Sequence, residues 1–285
     1  MDTLYINKEK CTECGKCQRV CPAGVFERVD KRVSVVNANF CIECSQCVAV
    51  CGDGAVEHPT FTADRVHRVD YSLCPSPESL MELLCARRSR RTFKSEPVPE
   101  ELLLKIAEAA HLAPTAQNLQ RVSYTIITNK DMLRKVTDTT MGHFIKLYNI
   151  LTFKPLQFIL KPFIGGLYAK YVPSFKKMIA KYESGADPIL KGATALILIH
   201  TPRGERFAIE DSNLAYQNGS LMAESLDVAH FYTGFVLNVA KAKKGKFEKL
   251  LGIDGVITAG MALGLPQIKY AAYCDKKPIK VEVKR

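Results

Sequence analysis

Between residues 101 and 113 the chain reads ELLLKIAEAAHLA, with apolar side chains recurring every three or four positions. That spacing stacks them on one face of an α-helix. Pro114 should end it, because proline biases the preceding residue away from helical backbone. A second helix is expected over Glu78–Ala86, with Ser76 or Ser79 as its cap. SYTIIT (123–128) and ATALILIH (193–200) are short, β-branched runs and read as strands. The latter's apolar run, ALILI, predicts a central strand. SNLAYQNGSLMAESLDVAH (212–230) reads as a mostly buried helix with a polar start. TFTADRVHRVDYSLCPSP, from Thr60 to Pro77, lacks helical periodicity and ends in a turn cluster, so the domain junction belongs there. The expected partition is a small domain over 1–60, a linker over 61–77, and a larger domain of mixed α and β structure over 78–285.

The chain has 285 residues, 47% hydrophobic and 24% charged, as in an ordinary soluble globular protein. Its richest apolar run, LQFILKPFIGGLY, is broken by Lys161, Pro162 and two glycines, so no membrane span is predicted. The first residues, MDTLYINKEK, contain no apolar stretch of the signal-peptide kind, and a cytoplasmic location is expected. The net charge of +11 is uneven: residues 1–60 hold 7 Lys and Arg against 8 acids, the remainder 33 against 21. A basic body suits an anionic cofactor or an acidic partner. No helix-turn-helix, zinc-finger or RNA-binding signature is present, so nucleic acid is not an expected partner. His58, His67, His111, His143, His200 and His230 make no ligand or triad spacing and read as structural. No G-x-G-x-x-G follows a strand, so no Rossmann nicotinamide site is expected.

Eight of the 11 cysteines form two runs. Cys11, Cys14, Cys17 and Cys21 read C-x2-C-x2-C-x3-C-P. Cys41, Cys44, Cys47 and Cys51 repeat the spacing, with Gly52 in place of proline. A short loop lets three successive thiolates converge on corners of an iron–sulfur cube. Four-thiolate zinc sites more often show two separated pairs, so the tandem triplets favour iron–sulfur. Cys74, Cys85 and Cys274 stand outside the pattern and read as buried structural thiols. Residues 1–60 resemble the bacterial-type two-cluster 4Fe–4S ferredoxins. The resemblance implies a small pseudo-symmetric domain in which the fourth cysteine of each run serves the other cluster. One cluster would take Cys11, Cys14, Cys17 and Cys51; the other, Cys41, Cys44, Cys47 and Cys21.

Three further stretches occur in order: ARRSRRTF (86–93), APTAQNLQ (113–120), and DSNLAYQNGSLMAESLDVAHFYTGFV followed by MALGLP (261–266). Together they resemble the nitroreductase family of FMN-binding proteins over residues 78–285. The resemblance implies an α+β fold with a central, mostly antiparallel sheet surrounded by helices. It also implies a homodimer. Arg87, Arg88 and Ser89 would meet the FMN phosphate and ribityl chain, since guanidinium pairs bidentately with phosphate. Arg91 would lie near the pyrimidine N1 and O2, where positive charge favours the anionic reduced flavin. Asn118 would offer a donor and an acceptor to the pyrimidine edge, with Pro114 and Thr115 lining the pocket. Thr233 and Gly234 would present backbone N–H groups near the flavin N5 and O4, and Lys276 and Lys277 would assist with phosphate. Two departures bear on the substrate pocket: the family's Q-P-W is Gln120-Arg121-Val122, and its E-S-L-G-L-G is Glu224-Ser225-Leu226-Asp227-Val228-Ala229.

Residues 140–192 form a basic insert with 8 Lys and 2 acids, rich in aromatics. Three readings compete: an interfacial membrane anchor; a lid or docking surface for an acidic donor; and helices packed on a dimer partner with solvated lysines outside, which is the preferred one. The functional expectation is an FMN-dependent oxidoreductase fed through two 4Fe–4S clusters by a low-potential donor such as reduced ferredoxin. Its acceptor would be a small organic molecule, a nitro compound, a quinone or similar. Reductive dehalogenation, C=C reduction, or electron transfer and redox sensing without turnover are the alternatives. No side-chain acid or base is expected, because the flavin carries the chemistry.

Overall fold

The computed structural model describes residues 4–285, with the side chains at 156–164, 167 and 170 outside that description. The chain forms two compact units. One comprises Met1–Pro75 with Thr115–Leu119, the other Ser76–Pro114 with Gln120–Arg285.

In the first unit, β1 (Tyr5–Ile6), α1 (Lys16–Val20), β2 (Phe26–Val29), β3 (Arg32–Val35), α2 (Gln46–Ala49) and β4 (Val56–Glu57) follow in order. β1 pairs antiparallel with β4, and β2 with β3. The repeat seen in the cysteines recurs in the backbone. Glu13 and Gly15 before α1, and Glu43 and Ser45 before α2, all have left-handed φ between 51° and 69°. Only glycine adopts that region freely; each of the other three costs about 1–2 kcal/mol. Residues Thr62–Glu82 are exposed throughout, and among them Asp70 accepts from Ser72 N at 2.9 Å within a short 3-10 turn.

In the second unit, α3 (Pro77–Ala86) starts at Ser76, whose hydroxyl accepts from Ser79 N, as expected. Then come α4 (Glu100–His111), β5 (Ser123–Ile127), α5 (Lys130–Thr152), α6 (Lys154–Glu183), β6 (Ala195–Thr201), α7 (Ala208–Ser225), β7 (Ala229–Tyr232), α8 (Gly234–Ala242), α9 (Lys246–Leu251) and β8 (Val256–Gly264). The sheet runs β5-β6-β8-β7, antiparallel at every pairing. β6 is central, and its uninterrupted apolar run follows from cover on both faces. Leu196 and Leu198 join a core with α5, α6 and α8. Ala195, Ile197 and Ile199 point the other way, into a core with α4 and α7. The fold is α+β, a central antiparallel sheet between helical layers.

One expected element is corrected. The helix predicted to reach residue 230 ends at Ser225, and β7 begins at Ala229. Asp227 takes a φ of +51°, which breaks the helical path, and Val228 N turns back to Ala223 O at 2.8 Å. The apolar face of 212–223 hid this, because a buried helix and a buried strand cannot be separated by hydrophobicity alone. The basic insert supplies all of α6 and the second half of α5. Phe144 of α5 packs on Phe175 of α6, and Tyr182 donates to Asp138 at 2.7 Å. The apolar centre of the insert, which carried the membrane and lid readings, lies outside the described side chains. Among the described residues no helix is long and apolar enough to cross a membrane.

Candidate cofactor sites

The first unit gathers the predicted thiols in two sets. A small pocket is lined by Cys21, Cys41, Cys44 and Cys47, together with His58 and apolar side chains. Cys21, from the first run, thus lies with three cysteines of the second. Burial pushes the Cys47 thiol up to about 11, and the neighbouring Cys41, Cys44 and Cys21 add to the rise. Burial likewise raises Cys17, with Cys51 and Cys11 contributing. Cys51, from the second run, therefore neighbours thiols of the first. A thiol held this way resists ionisation in isolation and yields its proton to a bound metal. Cys14 is exposed, and its pKa is lowered chiefly by a hydrogen bond from the Lys16 backbone. The fourth cysteines are treated alike: Cys21 Sγ accepts from Val25 N at 3.4 Å, and Cys51 Sγ from Ala55 N at 3.2 Å. Among the described residues no three His, Cys, Asp or Glu side chains converge on a single ion. A cube-shaped cluster takes thiolates spaced around a larger body, and the thiol sets suit it. Cys74 and Cys274 are exposed and Cys85 half-buried, so the reading of these three as buried thiols is corrected.

In the second unit the arginine strip runs beside β7. Arg90 N donates to His230 O at 2.9 Å, and the Arg91 guanidinium lies 5.3 Å over the Phe231 ring. Arg91 Nη1 also donates to Ser89 O at 3.1 Å. Arg87 caps the C-terminus of α3. Arg88 Nη2 donates to Cys274 O at 3.2 Å, which brings the strip to the segment carrying Lys276 and Lys277, both exposed. Thr233 and Gly234 follow β7 directly and open α8. Thr233 N donates to Gly260 O at 3.1 Å, which corrects the expectation that this N–H faces a flavin; its buried hydroxyl has no partner. Gly260 has no room for a side chain: a Cβ there would stand 2.6 Å from Thr233 Oγ1. Arginines for a phosphate, an unpartnered hydroxyl and an exposed glycine at a helix start are a donor set that fits a flavin mononucleotide.

The strip also holds a residue that the pattern disguised. Arg90 is 4% exposed rather than solvated. Its guanidinium pairs with Glu224 at 3.1 Å and Asp227 at 3.2 Å. The signal was available in the departure at residue 227, where an acid stands in place of glycine. Pro114 ends its segment of the second unit. Thr115 and Asn118 belong to the first, where Asn118 Nδ2 donates to Glu43 O at 2.8 Å and Ile42 O at 3.2 Å. Its amide protons are thus engaged within the first unit, so the donor role expected of Asn118 toward a pyrimidine edge is corrected.

Residues 84–265 match the nitroreductase family, and residues 3–52 match the 4Fe-4S dicluster domain. An FMN-bound nitroreductase from Desulfitobacterium hafniense superposes with a TM-score of 0.54 at 22% identity, over 71% of this chain and 97% of that one. One from Bacteroides fragilis gives 0.53 at 18% identity, over 72% and 98%. Iodotyrosine deiodinase 1 from Rattus norvegicus is 30% identical over 84 residues, 30% of this chain and 29% of that protein. An α+β unit of the nitroreductase fold is thus preceded in the chain by a 4Fe-4S dicluster domain. The chain belongs to the nitroreductase family.

Proposed function

We propose that this protein is an iron–sulfur flavoprotein that moves electrons from a low-potential donor, such as reduced ferredoxin, to a small organic acceptor. Its carriers are two 4Fe–4S clusters and FMN, and it works as a homodimer. The observation that carries the reading is the exchange of fourth cysteines: Cys21 lines one pocket with Cys41, Cys44 and Cys47. That arrangement belongs to paired clusters rather than to isolated metal sites. One cluster is held by Cys41, Cys44, Cys47 and Cys21, the other by Cys11, Cys14, Cys17 and Cys51.

Bound FMN would supply the exchange between one-electron and two-electron chemistry that an organic acceptor requires. The chain's part is to hold and tune it. Arg87, Arg88 and Ser89, with Lys276 and Lys277, bind phosphate and ribityl oxygens. Arg91, fixed by Ser89 O and the Phe231 ring, places positive charge at the pyrimidine edge. The Asn118 carbonyl accepts from the ring, beside Pro114 and Thr115. Thr233 and Gly234 offer groups at the start of α8.

The test is an anaerobic titration of the purified protein with a one-electron reductant, following cluster and flavin absorbance together. Roughly four electrons per chain, one per cluster and two for FMN, are expected. Roughly two electrons with no flavin band would sink the flavoenzyme reading. The match to the deiodinase favours a second reading on the same fold, reductive removal of halogen from an aromatic substrate. Halide release from an iodinated phenol under the same reductant separates it from nitro or quinone reduction.

A further inference from the structure

His58 follows β4 directly and is 8% exposed. Its ring packs on Phe61 with centroids 4.8 Å apart, and Phe61 N donates to His58 O at 3.1 Å, closing a tight turn. Within that turn Thr60 N–H donates to His58 Nδ1 at 3.1 Å. A ring nitrogen that accepts a hydrogen bond carries no proton. The proton of this imidazole therefore sits on Nε2. Nε2 lies 3.5 Å from Cys41 Sγ, within reach of an N–H···S hydrogen bond.

Among the described residues no ring donor stands at the equivalent place in the other half of the repeat. The backbone bonds to Cys21 and Cys51 are matched, but His58 stands 17 residues after Cys41, and the equivalent position after Cys11 is Arg28. The Arg28 guanidinium donates instead to Glu13 O at 3.0 Å and Lys31 O at 3.3 Å. The two thiol sets thus differ in their side-chain donors: the His58 ring at Cys41 in one, the Thr12 hydroxyl at Cys14 in the other.

Resting on the two-cluster reading of the cysteines, we infer that His58 raises the reduction potential of the cluster bound through Cys41 above the value that cluster would have without it. Reduction puts extra negative charge on the cluster and its thiolates. A hydrogen bond to a ligand sulfur stabilises that charge and favours the reduced state. His58 is a positioning and tuning residue: it touches the ligand, fixed from behind by Thr60.

The experiment uses the full chain, purified without oxygen, as wild type, His58→Phe and His58→Gln. Iron and sulfide assays report cluster content, and a redox titration followed by electron paramagnetic resonance reports the two potentials. The phenylalanine variant keeps the packing on Phe61 and removes the donor. One cluster potential should move negative and the other stay in place. The glutamine variant keeps an N–H and should recover part of the shift. Unchanged potentials, or an equal shift of both, in a fully loaded His58→Phe protein would overturn the inference. Wild-type protein with fewer than two clusters would overturn the cluster reading itself. Where neither variant retains its clusters, pulsed resonance on reduced, 15N-histidine-labelled wild type decides: coupling to a histidine nitrogen supports the contact, and its absence sinks it.

Discussion

The core of the first unit is Leu4, Val25, Phe26, Val33, Val48 and Val56, with Cys47 among them and eight further half-buried side chains, cysteines included, around its edge. The second unit buries five successive residues of β6, Ala195 to Ile199, at 2% exposure or less, between two separate clusters. At about 1.5–3 kcal/mol for each fully buried large aliphatic side chain, the second unit can stand on its own apolar interior. The first cannot: a core this small leaves too little after the entropy of ordering the chain. Its missing stability must come from whatever its thiols bind. One polypeptide thus combines a unit organised around ligands with a unit organised around a sheet.

The largest expected effect breaks that contrast at its root. Chelating iron from the anaerobic protein, or replacing Cys21 by Ala, should unfold the first unit while β6 and β8 keep their slow amide exchange. Hydrogen exchange read by mass spectrometry checks this; equal loss of protection in both units would refute it. Next in size, Leu198→Ala should destabilise the second unit by about 3 kcal/mol in urea, because its buried methyl groups leave a cavity between α5 and the sheet. The visible absorbance of the clusters should not follow that transition. A smaller effect depends on pH. Burial, with help from Arg87 and Arg90, pushes His230 down to about 4. An unfolded histidine binds its proton near pH 6.5, so below that pH the unfolded state takes up more protons. Stability of the second unit should therefore fall as pH drops from 6.5 toward 4, by about 2 kcal/mol at pH 5. His230→Phe should flatten the slope in that window. The smallest effect sharpens the comparison without disturbing either core. Arg91→Ala should weaken FMN binding about tenfold and lower the flavin potential, measured by fluorescence titration and spectroelectrochemistry, with the cluster signals unchanged.

Much of this was legible before any coordinates, for reasons that differ between the units. In the first, ligand spacing is a direct imprint of geometry, so the two cysteine runs announced an iron–sulfur unit, while the exchange of fourth cysteines is what the resemblance to two-cluster ferredoxins implies. In the second, strand β6 announced itself because both faces are covered and every position from Ala195 to Ile199 is apolar. What escaped notice depends on polar contacts across long sequence distances. Arg90 looks like one member of a solvated basic run until Glu224 and Asp227, more than 130 residues later, are brought to it. His58 carries no spacing signature, since its role rests on one turn at Thr60 and one approach to Cys41. The end of α7 was missed because Asp227 holds a left-handed backbone that glycine would have advertised.

The first unit is not a contiguous stretch of chain: Thr115–Leu119 joins Met1–Pro75, and Asn118 meets the carbonyls of Ile42 and Glu43. A protein made from its N-terminus on the ribosome cannot complete that unit when residue 75 emerges. The loop between Cys41 and Cys44 waits, its carbonyls facing water, until α3 and α4 have also been synthesised. The timing of cluster insertion is thereby tied to translation of the second unit's first helices. A protein cut after residue 75 would lack the segment that closes this loop.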